Sequence, residues 1–424
     1  MNVLDNLLPA PPPHKGVRRI ISRHEAEKLL PKACEGEMDP YFPNRGVSCG
    51  EEHLKYLLQV VWPLLQAYRS VIVGQGSMTT YTLLGMFAVG DRDPDHMGSG
   101  HVFYLGLPGT GKSLLAKVPQ KVVHAITKRI QGTVDLLPAD ITGSNMVQID
   151  NVTGHRKLEF IKGPIFANIL LFDEASRTPA RGLSGLLESM SEGQVTVNGV
   201  TYPADPFVIA TGNPIESEGV HKLPDALLDR VMFQTLARPF TASDYKQILK
   251  RTRTFYKTIL PEITDYSKVV EARNFFHETI HVSAEIEDFI SNLAEVINSV
   301  DHSGLLTDLR AKLKLTADEA IIKPGSMIVS GRGVAHLEGA ARALAALRYR
   351  NYLILADVHK VLLPVIRHRT HFTPNALSSL TRGEVRSELT EQFGRSGKTE
   401  MSEYILAEII RTAWDHTPTK HKGG

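Results

Sequence analysis

Cysteine is nearly missing from this chain: its 424 residues hold two, Cys34 and Cys49, and neither sits in a CxxC pair. A disulfide scaffold is thereby excluded, and a reducing compartment fits. A surplus of one charge is missing as well. The 48 Lys and Arg residues face 46 Asp and Glu, leaving a formal net charge of +2. Without a basic excess, the chain as a whole lacks the electrostatic footprint of a nucleic-acid binder. Long apolar runs are also absent, since no stretch approaches the roughly 20 residues that cross a bilayer. Residues 1–16 show no basic start followed by an apolar run, so no secretory signal is expected. By elimination the expected compartment is the cytoplasm, and the sequon Asn151-Val152-Thr153 reads as chance.

What remains is ordinary globular usage. Apolar residues make up 42% and charged residues 22%, and the length suffices for two or three domains with cores of their own. Residues 1–50 read as an extension, with a proline cluster from Pro9 to Pro13 and further prolines at Pro40 and Pro43. Residues 51–238 alternate between helix and strand patterns. Leu54, Leu57, Leu58, Val61, Leu64 and Leu65 recur at helical spacing, and Pro63 is expected to kink that helix. His101 to Leu105, Ile169 to Phe172 and Phe207 to Ala210 are short apolar strands, the pattern of a parallel sheet covered on both faces. Thr178 and Pro179 predict the cap and first turn of a helix carrying Leu183, Leu186, Leu187 and Met190. Asn198-Gly199 predicts a two-residue hairpin turn.

Over 239–375 only helical patterns follow: Tyr245 to Thr258, Ala284 to Val300, Val334 to Arg350 and Ala356 to Arg367. Residues 376–424 add further helix and a polar tail. The expected fold class is α/β: a parallel sheet flanked by helices, then an all-helical domain.

One segment carries specific chemistry. Gly106-Leu-Pro108-Gly109-Thr110-Gly111-Lys112-Ser113 is a complete GxxxxGK(S/T) between a strand and the helix that continues from Leu114. Glycines let backbone N–H groups wrap a phosphate chain, and the helix N-terminus adds a favourable dipole. Lys112 reaches the β- and γ-phosphates, and the Ser113 hydroxyl ligates magnesium. The bland alternative, a glycine-rich turn with a surface lysine, needs neither the strand nor the helix. Hydrolysis further requires an acidic group at the end of a neighbouring strand. Asp173 emerges from the apolar run Ile169 to Phe172 and is placed to hold the magnesium shell, and Glu174 is placed to activate the attacking water. Asn213 follows the strand Phe207 to Ala210, where a neutral amide could hold the γ-phosphate or that water.

These residues sit within a wider pattern that resembles the MoxR family of AAA+ ATPases. Val71-Ile-Val-Gly74-Gln75 is similar to the family's opening segment, which lies beside the adenine. Arg129-Ile-Gln through Asp135-Leu-Leu-Pro138-Ala-Asp140-Ile-Thr-Gly143 is similar to its next signature, and Gly163-Pro-Ile-Phe-Ala-Asn through Asp173-Glu174-Ala-Ser-Arg177 to another. The likeness extends through Leu186 to Met190, Phe207 to Glu216, Gly219 and Leu223-Pro224 to Leu228-Asp229-Arg230, covering about Val71 to Ala237.

The resemblance implies a P-loop AAA+ core with an all-α lid, binding ATP and Mg2+. It assigns the nucleotide to Gly74, Gln75, Gly106, Pro108, Gly109, Thr110, Gly111, Lys112, Ser113 and Leu114, and the metal to Ser113 and Asp173. It implies that Asn213 is the sensor-1 residue and Arg230 an arginine finger acting on a neighbouring subunit, with Arg177 and Arg181 as rivals. Arg332, at the start of a lid helix, is implied to reach the γ-phosphate from the lid. Ser144 to Phe160 looks like the inserted hairpin of this class, and the Asn198-Gly199 hairpin like a second pore element. A homo-oligomeric ring of six is expected, with a protein client and a partner bearing a von Willebrand factor A domain.

Two other functions stand beside this one. The near-neutral net charge counts against a nucleic-acid motor, which a local basic face would still allow, and a nucleotide-bound scaffold without turnover would not need the Asp173-Glu174 pair. His277-Glu278-Thr-Ile-His281 matches a zinc-protease pattern. That pattern needs both histidines on one helix, and here Ser283 is expected to cap a new helix. Arg367-His-Arg369 and Lys420-His-Lys422 read as solvated basic clusters.

Overall fold

The computed structural model describes residues 49–418, apart from 94–95, 150–155, 214–222, 256–261, 317, 325, 327 and 380–397. The proline cluster, the sequon at Asn151 within the insert, Glu216 with Gly219, and Lys420-His-Lys422 lie outside these residues.

The chain enters through α1 (Glu51–Tyr56) and α2 (Trp62–Val71), joined by a π-helical turn over Leu57–Val61. The expected kink at Pro63 takes this form. A proline lacks the N–H of the regular ladder, and the wider turn just before it absorbs the mismatch. α3 (Gly76–Phe87) follows, then a small antiparallel pair, β1 (Val89–Asp93) and β2 (His96–Ser99).

The central sheet uses β3 (Val102–Leu105), β5 (Thr127–Gln131), β8 (Ile169–Asp173), β11 (Phe207–Gly212) and β12 (Phe233–Leu236). All pairings are parallel and the spatial order is β12-β3-β11-β8-β5. Period-2 alternation explains the unbroken apolar strands. Val102, Tyr104, Ile169, Leu171, Phe207 and Ile209 point into one core, and Phe103, Leu170, Phe172, Val208 and Ala210 into another. Both faces are covered, so neither can be polar.

Between these strands run α4 (Lys112–Val122), the short β4 (Val123–His124) and α5 (Pro138–Thr142). The insert is the hairpin β6 (Gly143–Ile149) and β7 (Arg156–Lys162). α6 (Ser184–Glu192) begins later than expected. Thr178 and Pro179 lie in a connection built of two 3-10 turns, Ala175–Arg177 and Ala180–Leu183, and Thr178 is buried instead of capping the helix. β9 (Gln194–Val197) and β10 (Val200–Pro203) form the expected hairpin, with Asn198 at φ 52° and Gly199 at φ 80°. Positive φ at both turn residues is what a two-residue type I′ turn needs.

After α7 (Asp225–Arg230) and β12, α8 (Ala242–Phe255) leads into the helical part. One strand interrupts the all-helical expectation: β13 (Thr264–Asp265) pairs in parallel with β4. α9 (Tyr266–Thr279), α10 (Ala284–Ser299), α11 (Thr307–Lys312), α12 (Gly331–Leu347), α13 (Leu355–Ile366), α14 (Pro374–Ser379) and α15 (Lys398–His416) complete the structure. This helical lid shares one apolar cluster with a sheet face: Leu337, Leu344, Val361 and Ile409 belong to the same core as Tyr104 and Ile209.

Four histidines among the described residues are buried: His53, His101, His336 and His368. His53 contacts the Ala346 carbonyl oxygen through Nε2 at 2.9 Å and lies against the rings of Phe275 and Phe276. Burial pushes its pKa down to about 4, although the Ala346 bond pulls the other way. Burial first, and the Arg369 charge second, hold His336 and His368 well below the ordinary value. The unfolded chain therefore takes up protons near pH 6.5 that the folded chain refuses. Stability is complete above that pH and is lost as pH falls toward 4, by up to about 1.4 kcal/mol per pH unit for each histidine. Thermal melts at pH 7, 6 and 5 should show a falling Tm, and His53→Gln should flatten that slope. An unchanged slope would remove His53 from the account.

Candidate functional site

The strand order places three loops side by side at the C-terminal edge of the sheet. β11 lies between β3 and β8, so the residue after β11 falls between the P-loop and the acidic pair. The P-loop leaves β3 at Gly106, whose N–H donates to the Gly212 carbonyl at 3.3 Å. A side chain at Gly106 would strike Ala237 Cβ at 2.5 Å, which requires glycine there. Gly109 and Gly111 adopt φ of +79° and +87°, the left-handed region that glycine enters without strain. The loop then feeds α4, whose N-terminal dipole favours an anion.

Lys112 folds back into the loop, where Nζ donates to the Gly106 carbonyl, to the Leu107 carbonyl at 3.3 Å and to Asn213 Oδ1 at 2.9 Å. Burial lowers its pKa to about 8, with Asp173 and Glu174 opposing. A buried ammonium partnered mostly by neutral carbonyl oxygens is a site prepared for negative charge.

Ser113 Oγ donates to both carboxylate oxygens of Asp173, at 3.3 and 3.2 Å. One hydroxyl and one carboxylate are the hard oxygen donors that magnesium selects, and it takes few protein ligands when phosphates supply the rest. The pair therefore fits the metal. Asp173 also accepts from Thr211 Oγ1 at 2.5 Å and from Arg129 Nη2 at 2.8 Å. Its neighbour Glu174 has φ 54°, and its N–H donates to Thr211 Oγ1 at 3.0 Å. That turn sends the half-exposed Glu174 carboxylate out of the sheet, where Oε2 pairs with Arg177 Nε at 3.1 Å.

Thr211 and Arg129 are site residues that sequence reasoning passed over. A signal for Thr211 existed, since it precedes Asn213 by two and strand periodicity aims both the same way. For Arg129 the available signal was weaker: its strand partner is Leu171, two residues before Asp173 on β8.

Gly74 and Gln75 lie one strand over, at the same edge. Gln75 is buried, its Nε2 donates to the Arg238 carbonyl at 2.9 Å, and its Oε1 accepts from the Arg238 N–H at 3.2 Å. The amide thus splints the segment to the end of β12. Gly74 has φ +73°, and an added Cβ would press on the Asp244 carboxylate at 3.0 Å. Asp244 caps α8 and pairs with Arg238. Burial would raise its pKa, but these partners outweigh burial and bring it to about 2.

Arg230 and Arg332 are not brought to this edge. β12 and β3 run parallel, with Phe233 beside Val102 and Leu236 beside Leu105. Residues 229–230 precede β12 and the P-loop follows β3, so they stand at opposite edges, with about 13 Å of strand between. Arg230 folds onto α6: Nε donates to the Leu187 carbonyl at 3.0 Å and to Ser191 Oγ, and Nη1 to the Ala226 carbonyl at 2.7 Å. Arg332 pairs with Asp229 at 2.9 Å. The α12 N-terminus packs against the end of α7 and not over the P-loop, so within one chain the lid does not bring Arg332 to the phosphate-binding loop.

Two further expectations settle here. α9 ends at Thr279, and His281 lies in a bridge to Tyr352, so His277 and His281 do not share a helix. Among the described residues no cluster of three metal-ligating side chains occurs. Arg367-His-Arg369 is not a solvated face. Arg367 pairs with Glu403 and donates to the Gln234 carbonyl at 2.6 Å, while His368 and Arg369 are buried.

With this geometry in hand, the chain can be placed among known proteins. Residues 101–233 match the family model described as ATPase family associated with various cellular activities (AAA), and residues 325–389 match the AAA lid domain. The chain is 32% identical over 324 residues to Chaperone MoxR1 of Mycobacterium tuberculosis, covering 75% of this chain and 77% of that protein. It is 33% identical over 308 residues to the uncharacterized protein YeaC of Bacillus subtilis, covering 72% and 85%. A crystal structure from Cytophaga hutchinsonii, provisionally described as an ATPase, superposes with a TM-score of 0.63 at 27% identity, covering 82% of this chain and 96% of that one.

Proposed function

This chain belongs to the MoxR family of AAA+ ATPases, and on that premise we propose that it hydrolyses ATP between subunits of a ring to remodel a protein client. One observation carries the proposal. The P-loop, the Ser113–Asp173 pair, Glu174 and Asn213 converge at one sheet edge, and the arginines Arg230 and Arg332 stand at the other. A second copy, presenting its arginine edge to this P-loop edge, would complete the site. Exposed Leu107, Leu114, Val134 and Leu137 around the P-loop edge supply apolar surface for that contact.

The reaction is attack of water on the γ-phosphorus, with cleavage of the bond to the β–γ bridging oxygen and release of ADP and phosphate. Lys112 exchanges its carbonyl partners for phosphate oxygens. Asn213, freed from Lys112, orients the water, and Glu174 takes its proton. Ser113 and Asp173 would hold magnesium, which neutralises charge on the β- and γ-phosphates. Arg230 and Arg332 of the adjoining copy balance the charge on the transferring group.

The insert hairpin exposes Met146, Val147, Leu158 and Ile161. Such a surface suits unfolded polypeptide better than a phosphate backbone, in keeping with a relative named as a chaperone. No helix among the described residues is long and apolar enough to cross a membrane. The reading further includes six subunits and a partner with a von Willebrand factor A domain, both from the family resemblance, and a cytoplasmic setting, from the sequence composition.

Calorimetry of the full chain with ATP and magnesium tests the base of this scheme. Lys112→Ala should weaken ATP binding by about 10- to 100-fold through loss of charge-assisted bonds. Absence of any binding heat in the unmodified chain would end the proposal.

A further inference from the structure

Asp229 gathers partners from two distant parts of the chain, the start of α12 and Arg369. Its Oδ1 accepts from Ser330 Oγ at 2.7 Å and from Arg369 Nε at 3.4 Å, and its Oδ2 accepts from Arg332 Nη1 at 2.9 Å. Its backbone carbonyl accepts from Arg369 Nη2 at 2.8 Å. Ser330 is also the N-cap of α12, accepting from the Gly333 N–H at 3.0 Å, so the positive end of a 17-residue helix faces this carboxylate.

Arg369 is the other pole. Only 3% of its side chain is exposed. Besides Asp229 it donates to the carbonyls of Val365 and Val231, the latter at 3.1 Å, and to His336 Nδ1 at 2.7 Å. His368 contacts the same Val231 carbonyl through Nε2 at 2.9 Å. Burial lowers the Arg369 pKa to about 10, with Asp229 opposing, so the guanidinium stays charged in neutral solution. Burial would raise the Asp229 pKa, but Ser330, Arg369 and Arg332 together outweigh it and hold the carboxyl below its usual range.

A buried arginine is costly unless it is paired and its donors are satisfied. This one spans Val365 on the lid and Asp229 with Val231 on the core, on either side of Arg230. Simple packing between α12, α13 and β12 would not need a charge there. We propose that Asp229 and Arg369 form a clamp of positioning residues that locks the lid arginine Arg332 and the core arginine Arg230 into one rigid edge, delivered together to the next subunit. The inference rests on the reading that these arginines act in trans. Lid movement then shifts both cations as a unit.

Asp229→Asn keeps the side-chain shape and removes the charge that fixes Arg332 and Arg369. The expected result is a kcat about 10- to 100-fold lower, the scale of a misplaced catalytic group, with KM and calorimetric affinity for ATP unchanged. A merely structural role would instead lower the Tm and disturb binding too. Mixing makes the direction visible. Lys112→Ala chains have dead sites but intact arginine edges, so adding them to Asp229→Asn chains should restore turnover above either alone. If Arg230→Ala and Arg332→Ala chains regain activity in such mixtures and Asp229→Asn chains do not, the clamp is refuted while the trans reading stands. If none regain it, the trans reading itself fails. Should Asp229→Asn fold poorly, Arg369→Lys takes its place in the same assays, and an unchanged kcat overturns the clamp.

Discussion

Mutation of Arg230 to Ala is expected to lower ATP turnover by about 10³- to 10⁵-fold, the range measured for arginine fingers. That corresponds to about 4–7 kcal/mol of barrier. Because Arg230 stands an entire strand length from Lys112 in its own subunit, the loss should appear in the neighbour's site. ATP affinity of the mutated chain should stay close to the original, since none of its phosphate-binding groups is touched. In mixtures with Lys112→Ala chains, turnover should exceed the sum of the separate samples. Purely additive turnover would place the arginine in its own site and contradict the strand geometry. Arg332→Ala should behave the same way with a smaller loss, and its response should weaken in an Asp229→Asn background because the two share one ion pair.

Glu174→Gln should reduce turnover by about 10²- to 10⁴-fold, the contribution of a positioned general base. ATP binding should survive, because Lys112, Ser113 and Asp173 are untouched. The backbone supports this separation: Glu174 is held at φ 54° by its N–H bond to Thr211, which a Gln side chain leaves in place. Rapid-quench measurement of a single turnover, alongside calorimetric affinity, distinguishes slowed chemistry from lost binding. Normal hydrolysis in this variant would transfer the role of base elsewhere. The same variant, loaded with ATP, is a trap for whatever client co-purifies with it.

Much of the site could be read from sequence because phosphate binding is local chemistry. A loop of left-handed glycines, a lysine and a hydroxyl on the next helix turn lie within eight residues, from Gly106 to Ser113. The apolar run ending in Asp173 announces itself, since a strand buried on both faces has to be apolar until it reaches the edge. Thr178 was misjudged for an equally physical reason. Its sequence suits a cap, but the left-handed turn at Glu174 and the 3-10 turns after it consume the residues before α6 can start. The Arg367-His-Arg369 cluster failed similarly, because three basic residues look solvated until a carboxylate distant in sequence, Asp229 or Glu403, comes to meet them.

By itself the sequence determined the P-loop motif, the parallel sheet and the succession of core and lid, since each depends on short-range spacing and on alternation of apolar residues. Only the tertiary structure decided where the arginines stand. Asp229 and Arg332 are separated by 103 positions yet pair at 2.9 Å, because the start of β12 and the start of α12 pack at the same edge of the sheet. Charge pairing across such a distance follows from how elements pack, and no local pattern of residues encodes it.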